Sequence, residues 1–247
     1  MLGVSHGAVL YRAEAVVQIQ GGLGPQDSDI KADGVPVDAQ ASAVLPPVFG
    51  GAAQAQAGAA TIGGSVDVSK GTGASGNTFG SSFSEIEISD LIVSKLPGFE
   101  GLPNTVDVTV SATVNYTQTT VSSTSDDLRI RLGFGVTTIA DFTAPATGAV
   151  VSHNVSLPVG SPFTLTFNGF LDGNANGGND TGESVNHQFF AALNPVQLLD
   201  LPAGYTANAV GIVQDNQIIP EPSSATLLVL GGLALIKRRV RRARTHG

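Results

Sequence analysis

The middle of the chain alternates between apolar and polar residues with a period of two. From Val106 to Thr117, valine, alanine or tyrosine occupies each even position, while aspartate, threonine, serine or asparagine occupies each odd position. Leu128–Val136 repeats the alternation with Arg129 and Arg131 on the outward phase, and shorter copies occur at 85–88 and 163–167. A period of two is typical of half-buried antiparallel strands, so these segments predict a β-rich body. Weaker strand candidates are Val9–Ile19, Val150–Leu157, Gln188–Leu199 and Ala207–Val213.

Turn signals separate these segments, and no part of the body has an amphipathic helical stripe with capping residues. The turn signals are Leu96-Pro97-Gly98, Leu102-Pro103-Asn104, Ser125-Asp126-Asp127 and Pro202-Ala203-Gly204. Frequent turns between short strands predict an all-β fold, an antiparallel β-sandwich of the jelly-roll or immunoglobulin-like type. Ala41–Asn77, which is rich in alanine, glycine, glutamine and serine, is predicted to be a long loop with a weak strand at Ala60–Val68.

Composition and charge narrow the class of protein. Only 13% of the residues are charged, so the surface must rely on uncharged polar side chains, which suits an exported β domain. The absence of cysteine excludes disulfides, cysteine-ligated zinc and thiol catalysis. Residues 1–219 hold six basic and 19 acidic residues, a net charge of −13. Because such a body repels phosphates, we expect no nucleic-acid partner and favour divalent cations or cationic surfaces.

The last 28 residues have three distinct parts. Pro220-Glu221-Pro222 is held extended by its prolines. The apolar stretch Ala225–Ile236 has 12 residues, which is short for a membrane-spanning helix of roughly 20, and a processed targeting segment is the closer match. The basic cluster that follows should stay in the cytoplasm, leaving the body outside. The large apolar positions and the basic cluster are Ala225, Leu227, Leu228, Val229, Leu230, Leu233, Leu235, Ile236, and Lys237, Arg238, Arg239, Arg241, Arg242, Arg244.

The order and spacing of these parts resemble the PEP-CTERM sorting signal, over residues 220–244 only. The resemblance implies a short hydrophobic sorting helix, transient retention in the inner membrane of a Gram-negative bacterium, and cleavage by an exosortase. It also implies a final place at the cell surface or in an extracellular, polysaccharide-containing biofilm matrix. An ordinary C-terminal anchor is the alternative. Members of this family carry a signal peptide, whereas Met1–Gln20 has no sustained apolar run, so we expect further codons upstream of Met1.

A candidate calcium loop runs from Asp172 to Glu183. The segment has the pattern Asp-x-Asn-x-Asn-Gly, five residues and Glu, which brings hard oxygen ligands to one centre. The sequence therefore predicts a weak structural Ca²⁺ site, and a turn rich in glycine and asparagine is the alternative. The expected ligands are the side chains of Asp172, Asn174 and Asn176, the Gly178 carbonyl, Asp180 through water, and both oxygens of Glu183.

Catalytic motifs are missing from the sequence. The four histidines show no metal-ligand spacing, and His153 and His187 are expected on the surface. The pair Glu85 and Glu87 is interpreted as a solvated strand face, and Asp126-Asp127 as a turn. Tryptophan is absent and aromatic residues are 6%, so a sugar-stacking platform is expected to be poorly supplied. We therefore predict a non-enzymatic surface or matrix protein; the alternative is a secreted carbohydrate-binding or carbohydrate-active β-sandwich domain.

Overall fold

The computed structural model describes residues 8–20, 26–45, 49–73, 76–121, 128–135, 138–143, 145–176 and 182–219. Within these ranges the chain forms fifteen strands. They contain no helix long and apolar enough to cross a bilayer. The strands are β1 Val9–Gln20, β2 Gln26–Asp33, β3 Val37–Leu45, β4 Phe49–Gly58, β5 Thr61–Lys70, β6 Asn77–Lys95, β7 Thr105–Val121, β8 Leu128–Phe134, β9 Thr138–Thr143, β10 Ala149–Pro158, β11 Pro162–Ala175, β12 Glu183–Leu193, β13 Tyr205–Asn208, β14 Val213–Gln214 and β15 Gln217–Ile218.

The strands form two large antiparallel sheets and one small hairpin. The first sheet has the order β2-β1-β6-β11-β8-β9, with β13 also pairing with β6, and the second has the order β10-β7-β12-β5-β4-β3. The chain crosses repeatedly between the sheets, since β10, β11 and β12 lie alternately in the second, the first and the second. These sheets confirm the predicted all-β, antiparallel class.

One hydrophobic core lies between the inner faces of the two sheets. Burial alternates along β6 and β11, as the period-two pattern predicts, and inward residues of both sheets belong to the same cluster. Removing a large apolar side chain from water stabilises the fold by about 1.5–3 kcal/mol. The largest fully buried side chains are Tyr11, Ile62, Ile86, Ile88, Leu91, Leu128, Ile130, Leu132, Leu165, Phe167, Leu171 and Phe189.

Glycine allows the two sheets to approach closely around the ring of Phe189. A Cβ atom on Gly169 of β11 would lie 2.5 Å from Phe189 Cε2, and one on Gly64 of β5 would lie 2.8 Å from Phe189 Cε1. Both distances are shorter than carbon atoms tolerate without movement of a neighbour. Phe189 extends from β12 and is 2% exposed, so its ring fits between glycines of both sheets.

Two carboxylates of β2 accept hydrogen bonds from β3 on the side of the molecule where these two strands are the edges of their sheets. Asp27 Oδ2 accepts a hydrogen bond from the Ser42 backbone N–H (2.9 Å), and Asp29 Oδ2 accepts one from the Gln40 N–H (3.1 Å). Lys31 Nζ lies 3.0 Å from Asp29 Oδ2. The Lys31 hydrogen bond, followed by the Gln40 N–H, lowers the pKa of Asp29 below its ordinary value. Side chains of β2 therefore bond backbone amides that a sheet edge would otherwise expose.

The predicted loop at Ala41–Asn77 was wrong, because most of this segment is strand. It includes the end of β3, all of β4 and β5, and the first residue of β6. In β4 the inward-facing residues are small: Ala53, Ala55 and Ala57 are buried on one face, and glutamines are exposed on the other. Alanine is a weak strand former, so its period of two was overlooked. The weak strand expected at Ala60–Val68 corresponds to β5.

Candidate functional site

Two phenylalanines lie side by side on the outer face of the first sheet, away from the core. Phe83 on β6 has the same phase as Glu85 and Glu87, and Phe170 on β11 has the same phase as Asn168. Phe83 and Phe170 are register partners across the β6–β11 pair, and both are half-buried. The centre of this mixed polar and apolar face therefore carries a pair of neighbouring aromatic rings.

All three arginines of residues 1–219 lie on the same outer face. The Arg12 guanidinium carbon is 5.2 Å from the centre of the Phe83 ring, and Arg12 Nη2 is 3.3 Å from Glu14 Oε2. Arg129 is the register partner of Phe170 on β8. Arg131, two residues further along, lies 2.9 Å (Nη2) from Asp141 Oδ2 on β9. Guanidinium groups therefore flank the ring pair on both sides.

Three connected open grooves follow this surface. The central groove, of about 240 Å³, is lined by Phe83, Phe170, Asn168, Arg129 and Arg131. A second groove of about 230 Å³ shares both rings, and a third of about 280 Å³ shares Arg131 and Asn168. We call this surface the Phe83–Phe170 face, and its members are Arg12, Glu14, Ser81, Phe83, Glu85, Arg129, Arg131, Gly133, Ile139, Thr166, Asn168 and Phe170.

The polar groups of the Phe83–Phe170 face offer hydrogen-bond donors and acceptors together. Guanidinium groups only donate and carboxylates only accept, whereas the Asn168 amide does both. Asn168 Nδ2 lies 3.5 Å from Glu85 Oε1, at the limit of a hydrogen bond. Among the residues that the structure describes, no group of three or more histidines, aspartates or glutamates is placed to hold a metal ion. The arrangement is suited to contacts with a ligand that has several hydroxyl groups.

The structure places the described residues of the predicted calcium segment on two different sheets. Strand β11 continues to Ala175, so Asp172 and Asn174 are strand residues rather than loop residues. Their side chains share the outer face of the first sheet, on β-carbons roughly 6.6 Å apart. Glu183, by contrast, is buried on the inner face of the second sheet and is the register partner of buried Lys70. Asn176 is exposed at the end of the strand, and Gly178 and Asp180 lie outside the described residues.

Asn174 carries a buried polar atom in this segment. Asn174 Oδ1 is buried and accepts no hydrogen bond from the part of the chain that the structure describes. A buried oxygen of this kind normally has a partner. The calcium site stays a prediction.

His187 is fully buried, contrary to the expected surface position. It lies on the inner face of β12 between Val185 and Phe189, and its Nδ1 is 2.7 Å from the Tyr116 hydroxyl oxygen. Strand β12 begins at Glu183, five residues before the predicted start at Gln188. His187 therefore lies inside the strand, and it faces inward because it is two residues from buried Phe189. His153 is half-buried on β10, with its ring centre 5.7 Å from that of Phe134.

The predicted sorting tail lies outside the described residues, which end at Ile219, as does the pair Asp126-Asp127. This statement covers the motif Pro220-Glu221-Pro222, the apolar stretch and the basic cluster. Ile219 itself is held by a hydrogen bond from its N–H to the Ile212 carbonyl (2.7 Å). The packed body therefore includes Ile219, the residue directly before the predicted tail.

The Phe83–Phe170 face was missed from the sequence, although the signal was present. Phe83 and Phe170 occupy the polar phase of their strands, where a large apolar residue is out of place. A search for aromatic residues in the polar phase would have found them. No protein-family model matches the chain, and a search of curated proteins finds no significant similarity.

Proposed function

We propose that this chain is an exported, non-enzymatic bacterial surface or extracellular-matrix protein that an exosortase processes at its C-terminal tail. The observation that carries the proposal is the tail itself, a proline-flanked glutamate followed by a short apolar stretch and a basic end. Ile219, the residue before Pro220, belongs to the packed body, because its N–H donates a hydrogen bond to the Ile212 carbonyl. Cleavage near the Pro220-Glu221-Pro222 motif would thus release the packed body intact.

The surface of the second sheet fits an extracellular setting. Its outward positions carry mainly uncharged amides and hydroxyls, such as Gln54, Gln56, Ser65 and Gln188. Such groups are hydrated at any pH and salt concentration met outside a cell. Since two facing antiparallel sheets share one core, we take the body to be a β-sandwich, with a jelly-roll or immunoglobulin-like topology as the finer assignment.

Processing is testable in the native host by intact-mass measurement of the surface and medium fractions. We expect the wild-type protein to lack Arg244 and the preceding basic residues, and to retain the body up to Ile219. Deleting the exosortase gene, or the double substitution Pro220→Ala and Pro222→Ala, should leave the uncleaved chain in the inner-membrane fraction.

The matched control is the double substitution Ser223→Ala and Ser224→Ala, which changes adjacent residues but leaves the motif in place. It should be processed like the wild type. Recovery of the uncleaved C-terminus from most surface-located wild-type molecules would refute the proposed processing.

A further inference from the structure

We infer that the Phe83–Phe170 face binds an uncharged polysaccharide chain. Its centre carries a pair of aromatic rings. Pyranose rings present an apolar C–H surface, which packs against an aromatic face, and hydrophobic side chains with a few convergent polar groups are typical of ligand sites. Phe83 and Phe170 are neighbours across a strand pair, so they form one continuous apolar strip with Glu14 on one side and Arg129 on the other.

A row of polar side chains lies beside the strip. Two residues along the strands from the rings, a row of register partners crosses the outer face on five neighbouring strands. In order, the row is Arg12, Glu85, Asn168, Arg131 and Asp141. Donors and acceptors therefore alternate across the sheet, parallel to the strip. Each sugar hydroxyl both donates and accepts a hydrogen bond, so a polyhydroxylated chain crossing the strands would find partners of both kinds.

The local charge of the face favours an uncharged chain over an acidic one. The three arginines share the face with five carboxylates, so acidic groups exceed basic groups by two; the carboxylates are those of Glu14, Glu85, Glu87, Asp141 and Asp172. Arg12 and Arg131 are already paired with Glu14 and Asp141. An acidic polysaccharide would have to compete with these carboxylates, in a body whose net charge is −13.

The second sheet offers a matched control. Phe190 lies on its outer face, 40% exposed, beside Gln56 and Gln188 in a smaller groove. It is an aromatic residue on an outer strand face, as Phe170 is, but it has Gly63 and Asn115 as register partners rather than a second ring. Phe190→Ala therefore removes an exposed ring without changing the Phe83–Phe170 face.

Affinity electrophoresis of the purified full chain in a mild detergent tests the inference. The gels contain an uncharged polymer (dextran, galactomannan, xyloglucan or hydroxyethylcellulose) or an acidic one (alginate or polygalacturonate). We expect at least one uncharged polymer to retard the wild type, with little change when salt is added to screen charges. Phe170→Ala should weaken that binding about tenfold or more, whereas Phe190→Ala should bind like the wild type.

The melting curve of each variant shows whether it folds. If Phe170→Ala unfolds, the binding of Asn168→Ala is measured in its place. Asn168→Ala should also weaken retardation, because it removes a donor and an acceptor beside the rings. The inference is overturned if no uncharged polymer retards the wild type, if only acidic polymers bind and salt abolishes that binding, or if Phe190→Ala rather than Phe170→Ala loses binding. It deepens the proposed surface or matrix role but is measured in solution, so its failure and a failure of tail processing are separate results.

Discussion

Gly169→Ala should destabilise the body by placing one methyl group where the Phe189 ring lies. The added Cβ would be 2.5 Å from Phe189 Cε2, 2.6 Å from Phe189 Cζ and 3.0 Å from Ile62 Cδ1. Within its own sheet the ring lies over Gly64 of β5, its register partner, where a Cβ atom would be 2.8 Å from Phe189 Cε1. Overpacking of this kind costs about 1–3 kcal/mol. In a body of this size that corresponds to a fall in melting temperature of roughly 2–12 °C.

The assay is urea unfolding of the wild type, Gly169→Ala, Phe189→Leu and the double variant, followed by circular dichroism. Leucine is smaller than phenylalanine, so the double variant should be less destabilised than the sum of the single changes, with a coupling of about 0.5–3 kcal/mol. Gly101→Ala is the control, since a Cβ there meets no atom within 4 Å. It should be neutral or slightly stabilising, because alanine restricts the unfolded chain.

Two results would refute the reasoning about close sheet packing. If Gly169→Ala is as stable as Gly101→Ala, the two sheets are further apart at Phe189 than the structure places them. If the double variant shows strict additivity, the loss at Gly169 arises elsewhere than from contact with the Phe189 ring.

Three further predictions concern buried and edge groups. Tyr116→Phe removes the hydroxyl bonded to buried His187 and should lower the free energy of unfolding by about 1–3 kcal/mol, measured by urea titration against Asn115→Ala, an exposed neighbour that should have little effect. Because the pKa of Asp29 is lowered, its hydrogen bond to the Gln40 amide is present above the ordinary aspartate range and is lost as the pH falls through the lowered value. The protection factor of the Gln40 amide, which is the intrinsic exchange rate at each pH divided by the observed rate, should therefore fall in acid; a protection factor that Asp29→Ala leaves unchanged at neutral pH would contradict the bond. Calcium at a hundredfold excess over its dissociation constant should add about 2.7 kcal/mol of stability in the wild type and none in the double variant Asp172→Ala, Asn174→Ala; an unmoved melting temperature, with no heat on titration, would mean that the segment binds no calcium.

The sequence was most informative where side chains are large and alternate strictly. Strand β7 could be predicted from its valines, because β-branched residues repeating every second position are typical of a half-buried strand and of little else. Strand β4 could not, since its inward residues are alanines whose burial depends on a second sheet close above them. Small residues are informative only once the distance between the sheets is known, and that distance is a tertiary property.

The candidate site shows the same limit. Nothing in the local sequence indicates that β6 pairs with both β1 and β11, yet this pairing places Arg12 and Phe170 on either side of Phe83. The alternation of each strand shows that Phe83 and Phe170 occupy polar positions. That they are neighbours depends on a strand register between residues more than eighty positions apart. The low aromatic content therefore gave no sign that two of the few rings are neighbours on one surface.

The carboxylates of Asp27 and Asp29 have a consequence for molecules held at high density. An approaching strand from a neighbouring copy could join β3 only by displacing the carboxylate from the Ser42 or Gln40 amide, and thus by exchanging a charge-assisted bond for a neutral one. This side of the molecule is therefore a poor template for the growth of a shared sheet. The protection is chemical rather than steric, so at Gln40 it weakens as the pH falls through the lowered pKa of Asp29. Crowded copies should accordingly remain separate particles at neutral pH and become prone to joining along this edge in strong acid.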